Sequence, residues 1–299
     1  MSVKNWIHAM RLKTLPLAIA GALAGNTIAY IETGLLNILI LSLCLTTAIL
    51  LQILSNFAND YGDFTNGADT IERTDRLLTT GQITVKQMKF AVYLTAVFSL
   101  ISGVILLMLG IQTINMSFFI LLSLGLLGIL AAYFYTSGKR PYGYIGLGDL
   151  SVFIFFGIFS VIGSYFLQTQ TIGSSVWFIA IAIGLLSVGV LNINNIRDIE
   201  TDQEKGKITI PVMIGKTWAL RYHFILLFQS VVMFGFYGMN INHWTFYIIL
   251  ILISILLISH FIQLKKCTNR QQFNQQLKKL SLSTLLIVII YSFSISYFL

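Results

Sequence analysis

Nine stretches of mostly apolar residues run through the chain, at roughly 15–31, 35–58, 90–109, 116–136, 150–167, 173–193, 219–238, 244–264 and 280–299. Each is about as long as a helix must be to cross the hydrocarbon core of a bilayer. A water-soluble fold of 299 residues has nowhere to hide so many, and only 10% of the residues are charged, against about 25% in an ordinary soluble domain. A soluble enzyme and a disordered chain are both excluded. Strand alternation is absent, so the backbone must satisfy its polar groups inside helices. The chain is therefore expected to be an all-α integral membrane protein. It reads as one domain over 1–299, a bundle of nine transmembrane helices. Its three prolines, Pro16, Pro141 and Pro211, stand at or near the edges of segments, where a missing N–H matters least.

The basic residues set the expected orientation. With the N-terminus inside, the inner stretches are 1–14, 59–89, 137–149, 194–218 and 265–279, and they hold eighteen of the 19 Lys and Arg residues. The remaining one, Arg221, opens the seventh span and can snorkel inward. This asymmetry predicts a cytoplasmic N-terminus, an outer C-terminus and a cytoplasmic active face in the cell's inner membrane. It also accounts for the net charge of +8 without nucleic acid. Residues 3–13 read as a short interfacial helix with Trp6 at headgroup depth. The basic start and the Ala22-Leu23-Ala24 pattern resemble a signal peptide, but eight further spans already demand insertion, so the first is expected to be retained. Cys44 and Cys267 cannot form a disulfide framework, and none of the four histidines stands near a cysteine in a metal-ligand spacing. The basic, Gln-rich segment 265–279 reads as a solvated connector beside anionic lipid.

The acids are not spread evenly. Asp60, Asp63, Asp69, Glu72 and Asp75 fall in 59–89, and Asp198, Glu200, Asp202 and Glu204 fall in 194–204, nine of the 11 acids. Each cluster directly follows an apolar span and contains Asn-x-x-x-Asp: Asn59 with Asp63, and Asn194 with Asp198 and then Asp202. Residues four apart share a helix face, so these side chains stack. The same step places Glu200 and Glu204 on another face. Four spans separate the two units, which therefore point the same way, a weak parallel repeat unlike the inverted repeats of many transporters.

Two facing carboxylate clusters repel unless a cation lies between them. Mg2+ takes oxygen ligands and is usually held by one or two carboxylates plus substrate phosphates. Asn59, Asp60, Asp63, Asp69, Asn194, Asp198 and Asp202 are the candidate ligands. On the same face Arg76, Lys139, Arg140, Arg197 and Lys207 can meet diphosphate oxygens. Acids for metal, bases for phosphate and apolar spans behind them point to a lipid diphosphate. A transporter would place ionisable groups near the bilayer midplane, and no Asp, Glu, Lys or Arg falls in the middle of a span. A purely structural role gives no reason for the paired motifs.

At these residues the chain resembles the UbiA superfamily of membrane prenyltransferases, and within it the branch that prenylates 1,4-dihydroxy-2-naphthoate during menaquinone synthesis. The supporting segments are Arg11-Leu-Lys-Thr-Leu-Pro16, NDYGDFTNGAD (59–69), Tyr144-Ile-Gly-Leu-Gly-Asp149 with VFIFFG (152–157), and NNIRDIETDQEKGKIT (194–209). The resemblance implies Mg2+-dependent transfer of a polyprenyl group from its diphosphate to dihydroxynaphthoate, with loss of CO2 and diphosphate, giving demethylmenaquinone. It implies that Asn59, Asp63, Asp69, Asp198 and Asp202 belong to the Mg2+–diphosphate site, with Asn195, Arg197 and Lys207 matching further positions. Asn59, Asp63, Asp198 and Asp202 are the expected catalytic core. Hydroxybenzoate, haem and chlorophyll prenyltransferases are the alternatives within the superfamily. The position of Asp69 and the 144–157 stretch favour the naphthoate branch. The partners so implied are the two substrates and membrane lipid; no obligate protein partner is evident. Among the many aromatic residues, Tyr142 and Tyr144 stand nearest the basic pair Lys139-Arg140.

Overall fold

In the computed structural model, residues 2–67, 77–111, 113–239 and 244–298 are described, with side chains to 292. The elements run α1 (Val3–Ala9), α2 (Leu15–Thr33), α3 (Ile38–Thr65), α4 (Val85–Gly110), α5 (Met116–Phe134) and α6 (Gly148–Val152). A π-helical stretch (Phe153–Ile162) follows, then α7 (Gly163–Thr169), α8 (Val176–Arg197), α9 (Ile199–Glu204), α10 (Ile210–Met239), α11 (Trp244–Lys265) and α12 (Arg270–Phe298). α6, the π-helical stretch and α7 are continuous, so Gly148–Thr169 forms a single rod. Among the described residues, eight helical segments are long and apolar enough to cross a membrane. The ninth apolar stretch forms the second half of α12, whose first half is polar.

Local chemistry explains the ends. Asn37, Thr84 and Asn115 accept backbone N–H bonds at the starts of α3, α4 and α5, the role of short polar side chains at helix N-caps. Pro16 and Pro211 occupy the first turns of α2 and α10, where no N–H partner is lost. α1 is cut off from α2 at Arg11, whose backbone is left-handed at φ 49°. α10 kinks at Gly215, φ 77°.

α8 is the most enclosed long helix and α5 the most exposed; 72% of the apolar window is buried in α8, against 6% in α5. The main apolar core gathers α8 with α2, α10, α11 and α12, through residues such as Ile183, Leu186, Phe234 and Leu257. Helix backbones come close where side chains vanish. A Cβ on Gly157 would lie 2.6 Å from both the Ala180 carbonyl oxygen and the Gly184 Cα, so the π-helical stretch and α8 cross almost backbone to backbone. The outside of the bundle is apolar: Phe119, Leu127, Phe228, Ile251 and Ile255 are all more than half exposed. That is the inverse of a soluble fold and suits a surface solvated by lipid tails.

The structure revises two readings. The acidic motif at 59–63 does not lie beyond the end of the second helix, put at 58, because α3 continues without a break to Thr65. The 265–279 segment is not a solvated connector, because α12 begins at Arg270 and packs against α8. In both places a polar face of a helix points into the protein, so apolar content understates where the helix ends.

Candidate active site

The C-terminal ends of α3 and α8 border the same chamber at one end of the bundle. α3 carries Asn56, Asn59, Asp60 and Asp63 there, and α8 carries Asn194 and Asn195. α8 ends at Arg197, and Asp198 is a hinge at φ −107°, ψ 13° from which α9 departs. The bond from Asp202 N to Asp198 O, 2.8 Å, preserves one helical turn between the two acids despite the hinge. Asp198 and Asp202 are buried, whereas Glu200 and Glu204 are exposed, as the one-turn spacing requires.

Asn56, Asn59, Asp63, Asn194, Asn195 and Asp198 open onto a chamber of about 350 Å³, and Asp202 lies just behind Lys207, off its wall. At the polar end its wall includes Asn59, Asp63, Asn194, Asn195, Asp198 and Lys207. Along its length the wall is largely apolar, with Leu51, Leu107, Leu122, Phe155, Phe156 and Phe159 prominent and hydroxyls such as Thr47, Ser99 and Ser160 among them. The π-helical stretch supplies the three phenylalanines.

The two motifs are joined by a strap. The Tyr144 hydroxyl donates to Asp63 Oδ1 at 2.9 Å. The Tyr144 carbonyl accepts the Ile208 N–H at 2.9 Å, and the Lys207 ammonium lies 5.4 Å from the Tyr144 ring centroid, within cation–π range. Lys207 also sits 3.5 Å from Asp202 Oδ1. The 135–147 segment is held to α3 by Thr136, whose hydroxyl donates to the Ala58 carbonyl at 3.1 Å. Gly62 permits this approach, since a Cβ there would strike Thr136. Tyr142 lines the chamber, donates to the Ala131 carbonyl at 2.9 Å and pairs with Ser151 at 3.0 Å; removal from water raises its hydroxyl above the usual phenol range.

The remaining charges divide. Arg197 grips both oxygens of Asp198, at 3.0 and 2.6 Å, and donates to Asn194 at 2.7 Å and to Asn274. It does not line the chamber; it holds Asp198 from behind, aided by Arg270 at 3.2 Å. Asp60 does not line the chamber, because one residue along a helix turns it about 100° from Asn59; it is paired with Arg11, which does. Lys139 and Arg140 are exposed and off the chamber wall. Asp69 and Arg76 lie outside the described residues. Sequence reasoning missed Arg11, Arg270 and Asn274 as partners of the motifs, although a basic residue beside a buried acid cluster is a usable signal.

The oxygens of Asn59, Asp63, Asn194 and Asp198 fit a hard divalent cation in kind. Among the described residues no three His, Cys, Asp or Glu side chains converge on one point. An ion there would complete its shell from a ligand's oxygens, which is the usual habit of Mg2+.

The UbiA prenyltransferase family matches residues 18–285. The chain is 42% identical over 295 residues to the 1,4-dihydroxy-2-naphthoate octaprenyltransferase of Haemophilus influenzae, covering 97% of this chain and 95% of that one. It is 45% identical over 240 residues to the Escherichia coli protein of the same name, covering 80% and 77%. A UbiA homolog from Archaeoglobus fulgidus, solved bound to DMAPP and Mg2+, superposes with a TM-score of 0.62 at 16% identity over 98% of this chain and 99% of that one.

Proposed function

We propose that this chain, which belongs to the UbiA prenyltransferase family, transfers a polyprenyl group from its diphosphate to 1,4-dihydroxy-2-naphthoate, with release of CO2 and diphosphate. The observation that carries the reading is the chamber itself: one end bears two Asn/Asp motifs and a lysine, and the rest is largely apolar. A diphosphate headgroup and a prenyl tail need those two environments side by side. The names of the relatives supply the acceptor.

Asn59, Asp63, Asn194, Asp198 and Asp202 would hold Mg2+, which supplies charge stabilisation to the departing diphosphate. Lys207 and Asn195 face the same oxygens from the chamber wall. Arg197 and Arg270 fix the position of Asp198, and Tyr144 fixes Asp63. Asp69 belongs to the proposed set through its motif, and Arg76 as a basic residue of the same inner stretch. Lys139 and Arg140 do not.

The allylic C1–O bond breaks and its electron pair leaves with the diphosphate. The ring carbon bearing the carboxylate bonds to C1, and the carboxylate departs as CO2, returning its electron pair to the ring. Water would quench the allylic cation, so the walls must be dry. Phe155, Phe156 and Phe159 supply apolar surface and π faces that favour positive charge.

The basic residues favour nine spans, a cytoplasmic N-terminus and a site on the cytoplasmic face of the inner membrane. Membranes containing the chain, given dihydroxynaphthoate, a polyprenyl diphosphate and Mg2+, should yield the prenylated naphthalenediol by mass spectrometry. Preferred prenylation of 4-hydroxybenzoate would overturn the acceptor and leave the reaction class standing.

A further inference from the structure

On α3 the residues Gln52, Asn56, Asn59 and Asp63 follow at intervals of four, three and four, and so form one stripe along the helix. All four line the chamber. The upper pair belongs to the diphosphate end. Gln52 lies eleven residues below Asp63, about 16 Å along the axis at 1.5 Å per residue. The diphosphate chemistry makes no use of it, yet it is a buried amide, 7% exposed, in a wall that is otherwise largely apolar.

The orientation of that amide is determined by its neighbours. Asn56 Nδ2 donates to the Met10 carbonyl at 2.8 Å. Only the NH2 end can do so, and Asn56 Oδ1 is therefore turned toward Gln52. Gln52 Nε2 donates to that oxygen at 3.2 Å and to Thr14 Oγ1 at 3.2 Å. The Thr14 hydroxyl gives its own proton to the Arg11 carbonyl at 3.0 Å, so toward Gln52 it can only accept. Turning the Gln52 amide over would set oxygen against oxygen at both contacts. A backbone carbonyl at each end thus fixes the pattern, and Gln52 Oε1 is left buried without a hydrogen-bond partner. Gln52 belongs to the chamber wall, and a buried carbonyl oxygen calls for a donor.

Resting on the proposed function, we propose that Gln52 Oε1 receives a phenolic O–H of the aromatic acceptor, and that Gln52, oriented by Asn56 and Thr14, selects the hydroxylic form of that ring. A carbonyl or an ether at the same position offers only lone pairs and is repelled. The selection is chemically useful. The hydroxylated ring is electron-rich and attacks the allylic carbon, whereas the oxidised quinone does not. An oxygen that accepts but cannot donate keeps the inert form out of the chamber.

The test is competition in the detergent-solubilised full chain. Dihydroxynaphthoate, its two monomethyl ethers and the corresponding quinone are compared as ligands of the acceptor site. The wild type should bind the quinone and one of the ethers about tenfold more weakly than the diol, the scale of one lost hydrogen bond with its partner left unmet. In Gln52→Met that gap should fall to about twofold or less, on the same hydrogen-bond scale. The KM for polyprenyl diphosphate and the Mg2+ dependence should stay as in the wild type, a split that a merely structural role would not give. Equal binding of the diol and both ethers by the wild type, a measurement that needs no variant, would overturn the proposal. So would a gap that survives in folded Gln52→Met, since the discrimination would then be steric. A wild type that prenylates no hydroxyaromatic overturns this reading and the function together, whereas active wild type that binds the ethers as well as the diol overturns this one alone.

Discussion

The Tyr144 hydroxyl and the Asp63 carboxylate are 81 residues apart in the chain and 2.9 Å apart in space. This bond fixes one oxygen of the first motif, while the same tyrosine's ring and carbonyl hold Lys207 and Ile208 of the second motif's strap. One side chain thus sets the distance between two carboxylate clusters that electrostatics alone would drive apart. Tyr144→Phe keeps the ring and removes the bond. It is expected to lower kcat/KM for polyprenyl diphosphate by about tenfold or more, the scale of a hydrogen bond to a charged group. The KM for the aromatic acceptor should change little. Steady-state kinetics with each substrate varied in turn would check this, and unchanged diphosphate kinetics would remove Tyr144 from the site.

The buried acids and their exposed neighbours should behave differently. Asp63→Asn, Asp198→Asn and Asp202→Asn are each expected to cut turnover by roughly two to three orders of magnitude, as for loss of one preorganised charge-stabilising group. Glu200→Gln and Glu204→Gln, whose side chains are exposed, should leave it within about twofold. Monodisperse elution in detergent separates chemistry from misfolding. Glu variants as damaged as the Asp variants would place the wrong helix face at the site.

Arg197 and Asp198 form a buried ion pair, 8% and 6% exposed. Arg197→Gln removes one of the two arginines on Asp198. Losing one partner of a buried pair costs about 3–5 kcal/mol, and with Arg270 still present the loss should lie near the lower figure. Thermal unfolding in micelles would register it. Adding Mg2+ with a diphosphate should narrow the gap between variant and wild type, because the cation compensates the same carboxylate.

Metal removal tests the two-cluster arrangement directly. EDTA should abolish turnover and Mg2+ should restore it, since carboxylates without a cation repel a diphosphate. Full activity in metal-free buffer is incompatible with the arrangement.

Orientation can be read by labelling. In a background lacking Cys44 and Cys267, a single cysteine at Asn269, between α11 and α12, should react with an impermeant thiol reagent only from the cytoplasmic side. One at Ile172, between α7 and α8, should react from outside. Reversed labelling would move the site to the other face of the membrane.

The sequence by itself determined the solvent, the helical class and the stacking of Asp198 on Asp202. Apolar length, charge count and helical period are properties of neighbours in the chain, so no folding is needed to read them. It also carried the stripe on α3, because Gln52, Asn56, Asn59 and Asp63 recur at helical intervals, although the apolar count ended that span too early. The pairing of charges was decided only by the tertiary structure. Arg197, which the sequence left free to meet a diphosphate, is committed to Asp198, Asn194 and Asn274, and Asp60 is turned to Arg11. Lys139 and Arg140, equally basic, are left exposed on the surface. Which of many like charges meets which acid depends on contacts between residues far apart in the chain. In a low-dielectric interior those contacts are fixed by helix packing, such as the near touch of Gly157 and Gly184, and no local pattern of residue types encodes them.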